Sequence, residues 1–504
     1  MKVPDIITQI FQDNGFTDFE KRIFQNHPER EYCVQYRETA LNFVMRLMEE
    51  EGIFFFFTHE KDKHTLVFGD APDAHKPCPV QDMVRYELTS GGWQDDDVVL
   101  SWRIHKEVRP AKFALTDYNF KTPSTSLMVN RAAEGQYEVY DYPGEYPDRG
   151  EGDSLVRVRL EEKRTPVMVA EGEGDVRVFT AGARFTLEEH YREDQNQEYV
   201  ITSVFHSASQ GGDFRSGQSS EARYKNHFEC IPFSTPIRPL RLTPTPTIQG
   251  SQTAVVVGPQ GEEIFTDKYG RVKVQFHWDR RGKRNENSSC WIRVSQPWAG
   301  KGWGAVSIPR LGQEVVVDFL EGDPDRPLVT GRVYNAEQMP PYGLPAGAHM
   351  MGFRSNSTKG GGGYNEIVIH DSKSDEKIVI HAQKDMATTV EHDQSTLVVT
   401  GDQSNTVKTG NQTNTVMTGS QHNVTKKDVI IASTEDQIVI SAKTKITLVV
   451  GANSLAMDKD GNIALIGKQI LINGTDRVDI NPGGGGPSAA APPSSPAPAV
   501  EGGA

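Results

Sequence analysis

The chain has 504 residues, with 54 lysines and arginines against 68 aspartates and glutamates, for a formal net charge of −14. That length allows several domains with sizeable cores, and the acidic balance argues against nucleic acid or an anionic membrane surface as a partner. Four widely spaced cysteines (Cys33, Cys78, Cys230, Cys290) form no C-x-x-C pair. They read as reduced thiols in a chain that folds in a reducing cytoplasm. No basic-plus-apolar leader pattern opens the sequence, and the longest apolar run, residues 52–57 (GIFFFF), is strand-sized, so the general secretion route is not expected.

Residues 1–232 read as a mixed region. Thr39 precedes an amphipathic run at 41–50, with Leu41, Val44, Leu47 and Met48 at helical spacing and Gly52 as a stop. Strands are expected at 53–57, 65–68, 98–102 and 199–205. Pro232, Pro236, Pro239, Pro244 and Pro246 then mark 233–247 as an extended linker. Residues 248–335 carry short strand patterns at 255–257, 272–276, 291–294, 305–308, 314–319 and 328–334, separated by Gly, Pro and Asp turns. So many short strands in one compact stretch suggest a small closed barrel of the OB type.

After a Pro/Gly hinge at 336–348, residues 349–481 form an array. Its flanks use apolar pairs two apart, Ile367/Ile369, Ile378/Ile380, Ile438/Ile440, Ile463/Leu465, Ile470/Ile472 and Val478/Ile480, each pair on one strand face. Between them a unit like T-G-x-Q-x-N-x-V recurs. Gln394, Gln403, Gln412 and Gln421 are nine residues apart, as are Gly401, Gly410 and Gly419, Val398, Val407 and Val416, and Asn405, Asn414 and Asn423. Such a short period signals an array, and its composition reads as β. An odd period would flip a strand's buried face at every repeat, so one residue per unit must leave the alternation, and the glycine is the candidate for that turn. One or two small apolar residues per repeat cannot close a core in a single chain. A rod that forms only as an oligomer is expected, with Val398, Val407, Val416, Ile438, Ile440, Ile470 and Ile472 as inner-stripe positions and Gly401, Gly410 and Gly419 as turns. The Gly/Pro/Ala tail at 482–504 is expected to be disordered.

The barrel stretch then suggests a family. Residues 265–278 (FTDKYGRVKVQFHW), 291–295 (WIRVS), 302–312 (GWGAVSIPRLG), 314–319 (EVVVDF), 322–327 (GDPDRP) and 331–335 (GRVYN) resemble VgrG, the spike of the type VI secretion system, also called the Rhs element Vgr protein. Residues 357–367 (STKGGGGYNEI) resemble that family's entry into its needle. The resemblance runs from residue 1 to about 480 and implies a mainly β trimer: an α+β hub-like domain, an OB-fold neck and an intertwined trimeric β-helix needle. It also implies an Hcp tube beneath the hub, a PAAR-repeat protein at the tip, and an effector or adaptor as cargo. The protein would assemble in the cytoplasm and leave through the contractile apparatus into the medium or a target cell. Residues 3–16 (VPDIITQIFQDNGF) resemble a stretch lying well inside typical members, so the hub-like domain is expected to lack its front.

Chemical motifs are weak beside this. His59 and His64 bracket Glu60 but are five apart, which misaligns metal ligands on a helix, so a solvated turn is expected. Glu49–Glu51 and Asp95–Asp97 read as solvated faces rather than acid/base pairs. Residues 359–363 lack the ending of a phosphate loop, and one glycine per repeat falls short of a calcium-binding β-roll. Lys268, Arg271, Lys273, Arg280, Arg281, Lys283 and Arg284 lie near Tyr269, Phe276 and Trp278, yet the acidic whole disfavours single-stranded nucleic acid. The expectation is a mechanical protein with no catalytic residues, metal or cofactor. The alternatives are a spike of a phage tail or extracellular injection particle, or an envelope-degrading enzyme.

Overall fold

The computed structural model describes residues 1–87, 96–210 and 223–475. It divides into two compact units, Met1–Thr389 and Val390–Ala504.

The first unit begins with α1 (Val3–Asp13), β1 (Phe19–Arg22), α2 (Ala40–Glu51), β2 (Phe54–His59) and β3 (His64–Gly69). Thr39 caps α2 by accepting from the Asn42 amide at 3.1 Å, and Gly52 ends it at φ 69°. The buried face of α2 is Phe43, Val44, Leu47 and Met48. Leu41, expected on that face, is 71% exposed: the stripe is turned toward Phe43, which helical spacing also permits. Val3 and Ile7 of α1 meet this face over Ile53 and Phe68. The sheet order is β1-β3-β2, so β2 is an edge strand. Its alternation buries Phe54 and Phe56 and turns Phe55 and Phe57 outward.

Next come β4 (Met83–Arg85), β5 (Val99–Lys106), β6 (Lys112–Leu115), β7 (Val129–Ala132), β8 (Glu138–Asp141), α3 (Arg149–Arg164), β9 (Met168–Gly174), β10 (Arg184–Glu188), β11 (Glu198–Ser209) and β12 (Arg223–Pro232). A six-stranded sheet runs β4-β10-β11-β12-β9-β5 over a core of Phe179, Phe185, Tyr199, Phe228 and Cys230. The β7-β6-β8 sheet packs Phe113, Leu127 and Val129 against Val156 and Leu160 of α3. Sequence reading misses α3, whose charge and two glycines mask its apolar stripe. The signal was there: Asp148 accepts from the Gly150 and Glu151 amides, and Glu151 stands three residues after it.

The proline-rich stretch has no helix or strand, yet it is no free linker. Arg238 is 3% exposed; its Nη1 donates to the Gly52 and Asp70 carbonyls at 2.8 Å, and its Nε donates to Glu161 at 2.7 Å. The Leu242 and Thr243 amides donate to Glu49 at 2.9 Å.

The barrel comprises β13 (Gln252–Val257), β14 (Lys273–Phe276), β15 (Arg293–Val294), β16 (Trp298–Ala299), β17 (Gly304–Ala305), β18 (Glu314–Phe319) and β19 (Pro327–Val333). Five of these run β14-β13-β18-β19-β15. Reciprocal bonds of 2.9 and 2.8 Å between Val272 and Ile292 then link the two ends, closing the sheet on itself. Inside lie Ala254, Val256, Val272, Val274, Phe276, Ile292, Val315, Val317 and Val329. The unit ends in an antiparallel sheet of β20 (Met350–Arg354), β21 (Glu366–His370) and β22 (Lys377–His381). In β21 the buried residue is Val368, while Ile367 is 51% exposed.

The second unit is different in kind. From residue 390 to 444 there is neither helix nor strand, and every residue is exposed. Then β23 (Lys445–Val450), β24 (Asn453–Asp458) and β25 (Ile463–Ile466) form an antiparallel meander. Val478, Ile480 and the tail at 482–504 lie outside the described residues.

Candidate functional site

Two features of the molecule call for a functional account: the exposed array and the charge-rich joint of the first unit. In the array, Gly401, Gly410 and Gly419 adopt φ of 100°, 102° and 110°, a region closed to most side chains, and so mark the same backbone turn in each repeat. Val398, Val407 and Val416 are 43%, 50% and 50% exposed, whereas neighbours such as Leu397, Val399, Met417 and Val424 lie between 83% and 91%. Ile438, Ile440, Ile470 and Ile472 are 50–65% exposed and stand outside any strand. Such a run of uncovered apolar side chains exceeds what a single chain leaves to water. From 390 to 444 the backbone has no ladder partner among the described residues.

The joint gathers charges from hub, strap and barrel. Arg46 and Glu38, 4% and 5% exposed, pair at 2.9 Å. His27 bridges Glu51 at 2.5 Å and Asp70 at 3.0 Å. Burial alone would lower its pKa, but the hydrogen bonds to Asp70 and Glu51 win and raise it to about 9, so the imidazolium is held. Glu49 and Glu51, expected on a solvated face, are engaged acceptors, Glu49 buried and Glu51 partly so: Glu49 takes the strap amides, and Glu51 takes His27 and Arg30. The sequence could not show the partners, which come from segments far away in the chain. From the barrel, Asp325 accepts from the Val34 amide at 2.7 Å; burial, then Asp323, pushes its carboxyl up to about 8. Glu145 rises to about 7 for the same first reason, with Asp323 and Glu50 adding to it. Arg326 reaches Asp117 at 3.5 Å.

Other sequence candidates are scattered. His59 and His64 face each other across the β2–β3 hairpin, 6.3 Å between rings, not along a helix. Asp97 is engaged by Arg177, and Asp95 lies outside the described residues. Arg271 is 8% exposed and pairs with Asp267, so it is withdrawn from any basic surface of the barrel. Among the described residues no group of three or more His, Cys, Asp or Glu side chains is placed to hold a metal ion, and no helix is long and apolar enough to cross a membrane.

A hub with a half-barrel sheet, a closed OB-type barrel and a chain-exposed repeat define the class of baseplate hub and spike proteins. Three family models match in that order: the phage tail baseplate hub (GPD) over residues 1–212, the type VI secretion system/phage-baseplate injector OB domain over 254–334, and the bacteriophage T4 gp5 C-terminal trimerisation domain over 351–465. The chain is 44% identical over 495 residues to the type VI secretion system spike protein VgrG1a of Pseudomonas aeruginosa, covering 96% of this chain and 77% of that one. It is 48% identical over 401 residues to VgrG1c of the same organism, covering 78% and 55%. To a protein of Vibrio cholerae named actin cross-linking toxin VgrG1 it is 38% identical, covering 79% and 36%. The chain belongs to the VgrG family of type VI secretion spike proteins. It spans about half the length of the first relatives it matches.

Proposed function

We propose that three copies of this chain wind their arrays together into a spike that heads a type VI secretion tube, breaches a target envelope and delivers an effector or adaptor. The observation that carries this reading is the run from 390 to 444, in which every residue is exposed and no backbone ladder forms. Three strands wound about one axis would pair every edge and cover the apolar stripe. By period-two alternation Gln403 and Asn405 share the face of Val407. The inner stripe is then valine with laddered amides, Val398, Val407 and Val416 repeating it, and Ile438, Ile440, Ile470 and Ile472 extending it. Gly401, Gly410 and Gly419 turn each repeat.

In this reading the hub-like residues 1–232 seat on an Hcp tube and a PAAR-repeat protein sharpens the tip. The protein works mechanically, without catalysis, metal or cofactor and without nucleic acid. It assembles in the cytoplasm and leaves through the contractile apparatus. The toxin name of the Vibrio cholerae relative belongs to a protein of which this chain covers 36%. Light scattering after size exclusion tests the assembly: three times the 56.0 kDa chain mass is expected, and a stable single chain would overturn it.

A further inference from the structure

Chains wound through the array can slip past one another by a whole repeat at little cost. A shift of nine residues sets Val398 beside Val407, Gly401 beside Gly410 and Gln403 beside Gln412, so every unit but the last keeps an equivalent neighbour. A unique register must come from residues that do not repeat.

The β20–β22 sheet carries such residues. Its pairing sets Phe353, Ile367 and Ile380 in one row and Met351, Ile369 and Ile378 in the next, all on one face. Phe353 is 85% exposed, and Met351, Ile367, Ile378 and Ile380 are each more than half exposed. The opposite face is already used within the chain: Val368 is buried, and a Cβ on Gly352 would stand 2.8 Å from the Tyr342 hydroxyl. The β20–β21 loop holds the sheet to the barrel, Lys359 Nζ bonding to Glu262 at 2.8 Å and the Gly360 amide donating to Glu263 at 2.7 Å. Chain length decides what covers the open face. Only residues 382–389 separate β22 from the array, and a segment of that length spans at most about 28 Å. Three chains joined in one array therefore hold their sheets around the same axis, which brings the like faces within reach of one another.

We propose that this face is a register clasp, met by the same face of two further copies, which fixes which repeat of one chain stands beside which repeat of the next. The clasp presupposes the three-chain winding proposed above. Phe353 suits the role because no phenylalanine follows it in the chain, so no slipped register reproduces its contacts.

Disulfide mapping on the full chain tests this, since a disulfide needs Cα atoms within about 7 Å. Val407→Cys and Val416→Cys chains with different tags are co-expressed and oxidised with diamide. The unsubstituted chain, whose four cysteines are buried or half-buried, serves as the blank. With the face intact, bonds should join like positions, 407 to 407 and 416 to 416, and not 407 to 416. Phe353→Ser with Ile380→Ser removes both ends of one row, and both side chains are exposed in the single chain, so the first unit should melt unchanged. Like-position bonds should then fall to about a third, as in a pair free to sit one repeat either way, and 407-to-416 bonds should appear. If the double variant runs as single chains, Phe353→Ser alone is read in its place. Like-position bonds undiminished, with no 407-to-416 bond, would overturn the clasp and leave the three-chain winding standing. An unsubstituted chain that itself runs as a single chain would overturn the winding first, and the clasp with it.

Discussion

The barrel and the array are both β-rich in sequence, yet they reach opposite ends. Barrel strands bring Val274, Phe276, Val315 and Val317 to 0–2% exposure within one chain. In the array Val398, Val407 and Val416 stay at 43–50%. The difference lies in what each strand can find. Barrel strands are separated by turns that fold them back on each other, so edges close and an interior forms. The repeat advances without folding back, and its single small apolar residue per unit has nothing of its own chain to meet. Stability of the first unit is therefore local to one chain, whereas that of the array must come from association and so depend on concentration.

The sharpest way to break this comparison is a charge on the proposed inner stripe. Val407→Asp is expected to cost at least ~3 kcal/mol per chain, three times over in a trimer. Thr406→Asp, on the opposite face, should cost little. Dilution-dependent mass measurements distinguish them, and equal effects would mean that Val407 does not face the axis. Second in size is Leu47→Ala in α2, where Leu47 is fully buried. A loss of about 2–5 kcal/mol is expected in the melting of the first unit, with the trimer mass unchanged. If that substitution dissociated the trimer, assembly would not be confined to the array.

pH sharpens the contrast further. His27 has a folded pKa raised to about 9 from 6.5, so its contribution is complete below about pH 6.5 and is lost as pH rises through 9. Asp325, raised to about 8 from 3.8, loses stability in the same direction as pH climbs toward 8. Denaturant melts of the first unit should show about 3 kcal/mol less stability at pH 9.5 than at 6.5 from His27. His27→Gln should remove that share of the slope and leave the Asp325 share, and a gain in stability on alkalinisation would contradict the assignment. Among its described residues the array offers no such buried pair, and it should respond weakly. The smallest effect belongs to Gly410→Ala. At φ 102° it should cost about 1–2 kcal/mol per chain, read as a lower melting temperature of the array alone. No change would mean the repeat turn can relax.

Much of the barrel was legible because its strands are short, apolar and bounded by Gly, Pro and Asp, so 314–319 and 272–276 fall within a residue of β18 and β14. The helix at α2 was readable from its cap and its glycine stop. α3 was not, since its burial of Val156 and Leu160 is hidden among charges. The joint was misread at Glu49 and Glu51 for a different reason. A carboxylate looks solvated unless its donors are known, and here they are the strap amides, His27 and Arg30.

Local chemistry by itself thus marked barrel strands such as 272–276 and 314–319 and the nine-residue period of the repeat. Those depend on the spacing of Gly, Pro and Val along a single strand. Only the tertiary structure decided that the proline-rich stretch is an anchored strap, that Arg238 and Glu49 are buried, and that the His75 ring is stacked on Phe54 and Phe56. Each of these depends on groups far apart in sequence being brought within hydrogen-bond or stacking range, and no period along the chain encodes that.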